Sequence, residues 1–377
     1  MVGHRSAIAG LRLLNQGLAR PSSLSASEVV KRLTAVQAQD YAGSLWSVGM
    51  RMREGEAEEG GGGDATQDGV ERAIADRAVV RTWPMRGTLH LVAAEDVRWL
   101  LRLLAPRVAA RNAGRLVRLG LDAEVIARSR KTLADALRGG VCLTRGEVYG
   151  ELQRKGALVH TSGQRGLMVL WLLAHEGLVC LGPRRGKQPT FVLLDDWIAP
   201  SRDRTPEDPL RELAERYFAS RGPATVKDLA WWSGLNLSEA KEAVRAAGAD
   251  LEEVDLSGSR YWMAAHGGSR GAAPSSPNDA LLLSAFDEYT IAYRDRGAVI
   301  EARFAGRTAG PIPILFCPKI VLGGEVAGTW KRELRRDEVR VGLAPFEAMD
   351  GGQREAVARE VERYGRFLGT RAVASYD

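Results

Sequence analysis

The sequence predicts a mainly helical α+β chain: three tandem winged-helix units, then a small β-barrel-like domain with a terminal helix. Three observations predict it. One order of elements, helix, capped helix, helix, hairpin, occurs three times along residues 1–265. The stretch HGGSRGAAPSSPND (266–279) has the composition of a linker. Beyond it, LLLSAFDEYTIAY and ILFCPKIVLGGEVAGTWKREL read as strands with a Gly-Gly turn, followed by a helix over about 351–368.

The elements follow in order. Helical patterns AIAGLRLLNQGL, AEVIARSRKTLADALR and LRELAERYFAS each precede a segment that opens with Ser or Thr and carries an acid three residues on. Ser25 with Glu28 and Thr144 with Glu147 are capping boxes, in which the hydroxyl accepts from a free amide and the acid reaches back. Thr225 with Asp228 is a shorter version. A third helix follows each, then two alternating runs around a Gly, Pro or Ser turn: AVVRTW and TLHLVA, LVCLG and TFVLL, LEEVDL and RYWMAA. The expected boundaries are 1–120, 121–200 and 201–265 for the three units and 280–377 for the β-rich domain. EGEAEEGGGGDATQDG (54–69) reads as a disordered acidic loop inside the first unit.

Composition narrows the function classes. At 377 residues and 45% hydrophobic, the chain can bury substantial cores. The longest apolar run, LMVLWLLA (167–174), is too short for a bilayer, and no sustained apolar block marks a secretory signal. Cys142, Cys180 and Cys317 are odd in number and far apart, which predicts a reduced, cytoplasmic chain. CxxC, HExxH and GxxxxGK[ST] are absent and no GxSxG elbow appears, so neither metal nor cofactor is expected, and ATP use and serine hydrolysis lose support. A net charge of +6 favours an anionic partner. That charge is ordered: Arg107, Arg111, Arg115 and Arg118 recur at helical spacing, Arg184, Arg185 and Lys187 crowd one hairpin tip, and Arg81 and Arg86 lie on another. Such a pattern suits contacts to the phosphates of a duplex.

One short stretch stands apart. In VQAQDYAGSLWS (36–47), Gln37 and Gln39 sit two apart with Asp40 behind them. Side chains at i and i+2 share a face of an extended segment, whereas on a helix they diverge by about 200°.

Together, QAQ, RTWPMRGTLHLV (81–92), FDEYTIAYRDR (286–296) and GEVAGTWKREL (324–334) resemble, in this order and over essentially the whole chain, the winged-helix DNA glycosylases. These are of the AlkZ and YcaQ kind, and the resemblance is closest on the azinomycin-resistance, AlkZ branch. It implies three winged helices forming a concave DNA-binding surface beside a small β-barrel, with excision of N7-alkylated purines and unhooking of interstrand crosslinks. Gln37 and Gln39 match the branch's catalytic QxQ motif; the YcaQ branch has Asp at the second position. The implied partner is double-stranded DNA carrying alkylated or crosslinked purines, bound by a monomer without a membrane. Arg86, His90, Arg111, Arg115, Arg184, Arg185 and Lys187 are the expected DNA contacts. Asp40, Asp287 and Glu288 are candidates to stabilise a sugar cation, against ordinary ion pairs with arginines such as Arg294 and Arg296. None of the eight lysines falls in a motif for Schiff-base chemistry, which predicts a monofunctional enzyme. Two alternatives use the same repeats: a non-enzymatic winged-helix regulator, and a resistance protein that sequesters a genotoxin.

Overall fold

Helix starts in this chain are written as side-chain caps, and the caps form as read. The Ser25 hydroxyl accepts from the Glu28 amide while Glu28 accepts from the Ser25 amide at 2.8 Å, starting Ala26–Leu33. Thr144 and Glu147 do the same for Arg145–Arg154. Thr225 and Asp228 exchange both bonds as well, at 2.8 and 3.1 Å, ahead of Val226–Ser233. Asn236 with Glu239 and Asp350 with Gln353 are further boxes of the same kind.

The computed structural model describes residues 2–54, 65–199, 204–256, 258–266, 279–309 and 312–376. Most of the acidic loop expected at 54–69 and of the linker expected at 266–279 lies outside them. The chain packs as two compact units, 1–71 with 210–232 and 236–377, and 72–209 with 233–235.

In the second of these units, two hairpins merge. Val79–Met85 pairs with Thr88–Ala93, and Val179–Arg185 with Gln188–Leu193. Arg81 opposite Leu181 then joins the two hairpins edge to edge, and Leu143–Thr144 adds to the far side. Each hairpin slips register at a proline, between Thr82 and Met85 around Pro84 and between Gly182 and Arg185 around Pro183, since proline gives the ladder no N–H. Arg86 and Gly87 both have positive φ, 53° and 76°, as a two-residue hairpin turn of the twisted type requires. Helices Val97–Arg118, Ala123–Ala136, Arg145–Arg154 and Arg165–His175 complete the unit. The apolar Arg165–His175 is core, as its composition demands: Val169, Leu170, Leu173 and Ala174 are fully buried beside Val148, Leu152 and Leu133.

Among the described residues the other unit carries further helices and three further sheets, the smallest pairing Thr308–Ala309 with Ile312–Pro313. Leu251–Leu256 and Ser259–Ala264 form the third hairpin, tied by Trp262 to Ala224 just ahead of Val226–Ser233. Beyond residue 279 a five-stranded sheet runs in the order Arg371–Tyr376, Glu338–Pro345, Glu325–Leu334, Lys319–Leu322, Ala280–Leu283. Among the described residues its two outer strands are not paired with each other, so the sheet is open and fits the expected barrel-like domain in part. Gly323 and Gly324, both at positive φ, make the turn read from GGEVAG. Glu338–Pro345 and Arg371–Tyr376 run parallel, and such a pair needs a crossover; Gly351–Leu368 supplies it. FDEYTIAY was expected as a strand but turns into a short helix, Glu288–Ile291. Asp287 caps it by accepting from the Tyr289 amide, and a cap competes with strand pairing for that amide.

Candidate active site

The glutamine pair sits in the turn between two helices of the first repeat. Ala26–Leu33 stops at Thr34, whose φ of 64° and ψ of −48° are rare for a β-branched residue. The Ala35 amide donates back to the Leu33 carbonyl at 2.6 Å, closing a three-residue γ-turn with its central residue at positive φ, a strained form. Val36–Gln37 is then extended, and Tyr41–Gly49 begins after Asp40. Val36 and Ala38 are wholly buried, Gln37 keeps 9% exposure and Gln39 is exposed. Gln37 is thus nearly buried between Val36 and Ala38, and exposure begins at Gln39.

Helix Tyr41–Gly49 fixes the far side of the turn. Trp46 packs edge-on against Tyr364 and beside Phe367, with centroids 5.1 and 5.0 Å away, and its indole N–H donates to the Leu282 carbonyl at 2.6 Å. Two glycines permit this seating. A Cβ on Gly49 would lie 2.3 Å from the Phe367 ring, and one on Gly43 would lie 2.5 Å from the Asp40 carboxylate.

The FDEY segment meets the same turn from below. Glu288, fully buried, accepts from the Gln37 amide through Oε1 at 3.0 Å. Its Oε2 takes the Arg221 guanidinium at 2.7 Å and the Trp232 indole N–H at 2.9 Å. Arg221 in turn donates to the Leu33 carbonyl at 2.9 Å and the Ala35 carbonyl at 3.0 Å, the two ends of the γ-turn. Asp287, also fully buried, accepts two bonds from Arg51, at 2.8 and 2.9 Å, and one from the Ser47 hydroxyl at 2.7 Å. Burial alone would raise its carboxyl; the Arg51 charge, with the bonds from Arg51, Ser47 and the Tyr289 amide, holds it below the ordinary aspartate value.

These contacts sort the expected residues. Asp287 and Glu288 do make ion pairs, but with Arg51 and Arg221 and not with Arg294 or Arg296. Fully buried and neutralised, they present no free charge to a sugar cation, which corrects that expectation. Asp40 is half-buried, with Arg332 at 3.4 Å. Arg51, Arg221 and Trp232 were not foreseen. Two adjacent acids inside an apolar run do demand buried partners, yet partners 236 and 67 positions away leave no trace in spacing.

Of the expected DNA contacts, Arg184, Arg185 and Lys187 are exposed at their hairpin tip. Arg185 pairs with Glu147 at 2.7 Å and donates to the Cys142 carbonyl at 2.9 Å. Arg111 and Arg115 lie on Val97–Arg118, the latter bonded to Gln164 at 2.7 Å. His90 departs from expectation: it is fully buried. Its Nδ1 lies 2.9 Å from the Thr88 carbonyl, so that nitrogen donates, and Nε2 accepts from Arg86 at 3.3 Å. It supports the half-buried Arg86 rather than meeting a duplex. Among the described residues no group of His, Cys, Asp and Glu could hold a metal, and no helix is long and apolar enough to cross a membrane.

Comparison with known proteins places this mixed α+β chain among the DNA glycosylases. The chain belongs to the DNA glycosylase AlkZ-like family, whose model matches residues 30–367. It is 29% identical over 376 residues, 95% of each chain, to an interstrand DNA cross-link repair glycosylase of Streptomyces sahachiroi. The solved structure of the DNA glycosylase AlkZ from the same organism superposes with a TM-score of 0.77 at 26% identity, over 99% of both chains. The chain is therefore a DNA glycosylase, a hydrolase of N-glycosyl bonds whose substrate is DNA.

Proposed function

We propose that this glycosylase removes cationic, N7-alkylated purines from double-stranded DNA and unhooks interstrand crosslinks built on such bases, with a water held by Gln37 and Gln39. The observation that carries the reading is the glutamine pair itself. It sits in the turn between two helices, Gln37 nearly buried at 9% exposure and Gln39 exposed two residues on.

The chemistry asks little of the protein. An ordinary purine is a poor leaving group and must be protonated as the bond breaks, which calls for a general acid. A purine alkylated at N7 already bears positive charge. When the N9–C1′ bond breaks, its electron pair goes to the base and cancels that charge. Positive character passes to the sugar, whose transition state resembles an oxocarbenium ion. Water adds to C1′, and its proton is released to solvent once the C–O bond has formed, leaving an abasic site and a neutral base. The remaining task is orientation. An amide carbonyl accepts from the water while an amide N–H₂ donates, and neutral amides avoid the desolvation cost of a buried carboxylate. Asp40, beside the pair and half-exposed, is the acid best placed to favour the developing sugar charge.

In this reading the three helix–hairpin sets are winged helices that track the duplex, with boundaries near 1–120, 121–200 and 201–265 and a β-rich domain at 280–377. Arg111, Arg115, Arg184, Arg185 and Lys187 contact phosphates, and Arg86 is held for the same task by His90. The enzyme works as a monofunctional monomer. The crosslink-repair name of the Streptomyces sahachiroi relative supports the crosslink part of the proposal.

The test is single-turnover release of N7-methylguanine from a duplex. Gln37→Ala and Gln39→Ala should each lower the rate by about a hundredfold or more, the usual scale for a lost positioning or proton-relaying group. Wild-type rates in both variants would remove the catalytic assignment.

A further inference from the structure

The catalytic reading leaves one network unused: the buried charges beneath the glutamine turn. We propose that Glu288, acting with Arg221 and Trp232, is a positioning residue that fixes the backbone at Gln37. The inference rests on the proposed role of Gln37.

Three features of the contacts carry it. Glu288 divides its oxygens between two jobs, Oε1 on the Gln37 amide at 3.0 Å and Oε2 on Arg221 and Trp232 at 2.7 and 2.9 Å. Arg221 spends its donors on the same stretch of backbone, the carbonyls of Leu33 and Ala35, with Ser220 Oγ taking another bond at 2.9 Å. The residue between those carbonyls, Thr34, is at φ 64°. A β-branched residue in that region costs of order 1–3 kcal/mol and persists only where its surroundings over-determine it. Here they do, because Arg221 grips the residue on each side of it.

The geometry also explains why the two acids stand side by side. Glu288 holds the backbone before the pair, at residues 33–37. Asp287 holds Ser47 and Arg51, at the end of the helix that follows the pair. Arg51 reaches back to the Gln16 carbonyl at 3.0 Å, and Gln16 to the Tyr293 hydroxyl at 3.0 Å, whose own proton goes to the Arg221 carbonyl at 2.9 Å. The segment 38–46 is thus spanned from consecutive residues. A cap this rigid sets where the Gln37 side chain starts, and in a water-holding site displacements near 1 Å cost about a hundredfold in rate. Arg221 is itself seated over the Trp232 ring, 4.4 Å from its centroid, so the carboxylate and its counter-ion move as one body.

The experiment is a double-mutant cycle read by single-turnover release of N7-methylguanine, with duplex affinity measured in parallel. Glu288→Gln keeps an acceptor for the Gln37 amide but loses the charge that holds Arg221. It should slow release by about tenfold to a hundredfold while duplex Kd stays within about twofold. In a Gln37→Ala background the same change should cost nothing further, because Glu288 acts through Gln37. Trp232→Phe, which keeps the ring and deletes one bond, serves if Glu288→Gln does not fold. Its loss should be about threefold to tenfold and should vanish in the same background. A Gln37→Ala loss accompanied by no Glu288 or Trp232 effect, or by one that adds in full, overturns the positioning role alone. A Gln37→Ala protein with undiminished rate overturns both this inference and the assignment beneath it.

Discussion

At the scale of single residues, the candidate site sets a nearly buried amide, Gln37, and an exposed one, Gln39, beside two fully buried acids. Gln37 and Gln39 stood out by their i, i+2 spacing, but their proposed role came from the resemblance, whose motifs are specific as a set and weak singly. Arg51 and Arg221 did not stand out, because buried ion pairs are set by tertiary packing across hundreds of positions. Asp287→Asn leaves Arg51 buried without its counter-charge and should lower unfolding stability by about 3–5 kcal/mol in urea titrations at pH 7. A loss near zero would mean that water reaches the pair. Lys319 offers a prediction in pH. It is fully buried, with Nζ within hydrogen-bond distance of the carbonyls of Ala285, Leu315 and Cys317, at 3.1, 2.8 and 2.8 Å. Burial pushes it down from 10.5 to about 7, with the Asp287 charge opposing. Between those values the unfolded chain binds the extra proton and the folded one does not, so stability rises with pH across the window. Lys319→Met should flatten the slope of stability between pH 7 and 9 relative to wild type. An unchanged slope would show that Lys319 stays charged in the fold.

At the scale of elements, capping chemistry was the most readable layer. It is local, and a hydroxyl three residues from an acid can satisfy itself with no help from the rest of the chain. All three boxes read from the repeats form their reciprocal bonds. Strand pairing was less readable. That the first two hairpins share a sheet depends on Arg81 meeting Leu181, a hundred positions away, and nothing in either run announces its outer neighbour. FDEYTIAY failed for a related reason: its apolar spacing suits a strand, but Asp287 spends itself on the Tyr289 amide and turns the backbone. The hairpin at Val179–Arg185 and Gln188–Leu193 carries its own test. The Arg185–Glu147 pair is exposed, at 57% and 45%, so it is worth at most about 1 kcal/mol and yields readily to a phosphate. Replacing Arg184 and Arg185 together by alanine should weaken duplex binding and lower the salt slope of log K by about two, near one per lost phosphate contact. An unchanged slope would take the tip off the duplex.

At the scale of the whole molecule, the proposed reading has the formal charge of +6 and the ordered arginines supply affinity for any duplex, and selectivity come from the lesion. The general character was readable from repeats and motifs; the division into two units with interleaved segments was not, because returning chain segments leave no mark at their junctions. The account makes a single demand of the substrate, that it bring its own positive charge. A protein that only sequestered a toxic agent would release no base from any duplex. The most direct measurement is single-turnover base release from two otherwise identical duplexes, one carrying cationic N7-methylguanine and the other an uncharged lesion such as hypoxanthine. The account predicts rapid release of the cationic base, its loss in the Gln37→Ala, Gln39→Ala double variant, and essentially no release of the uncharged one. Comparable release of both bases, or release that survives the double variant, would contradict it.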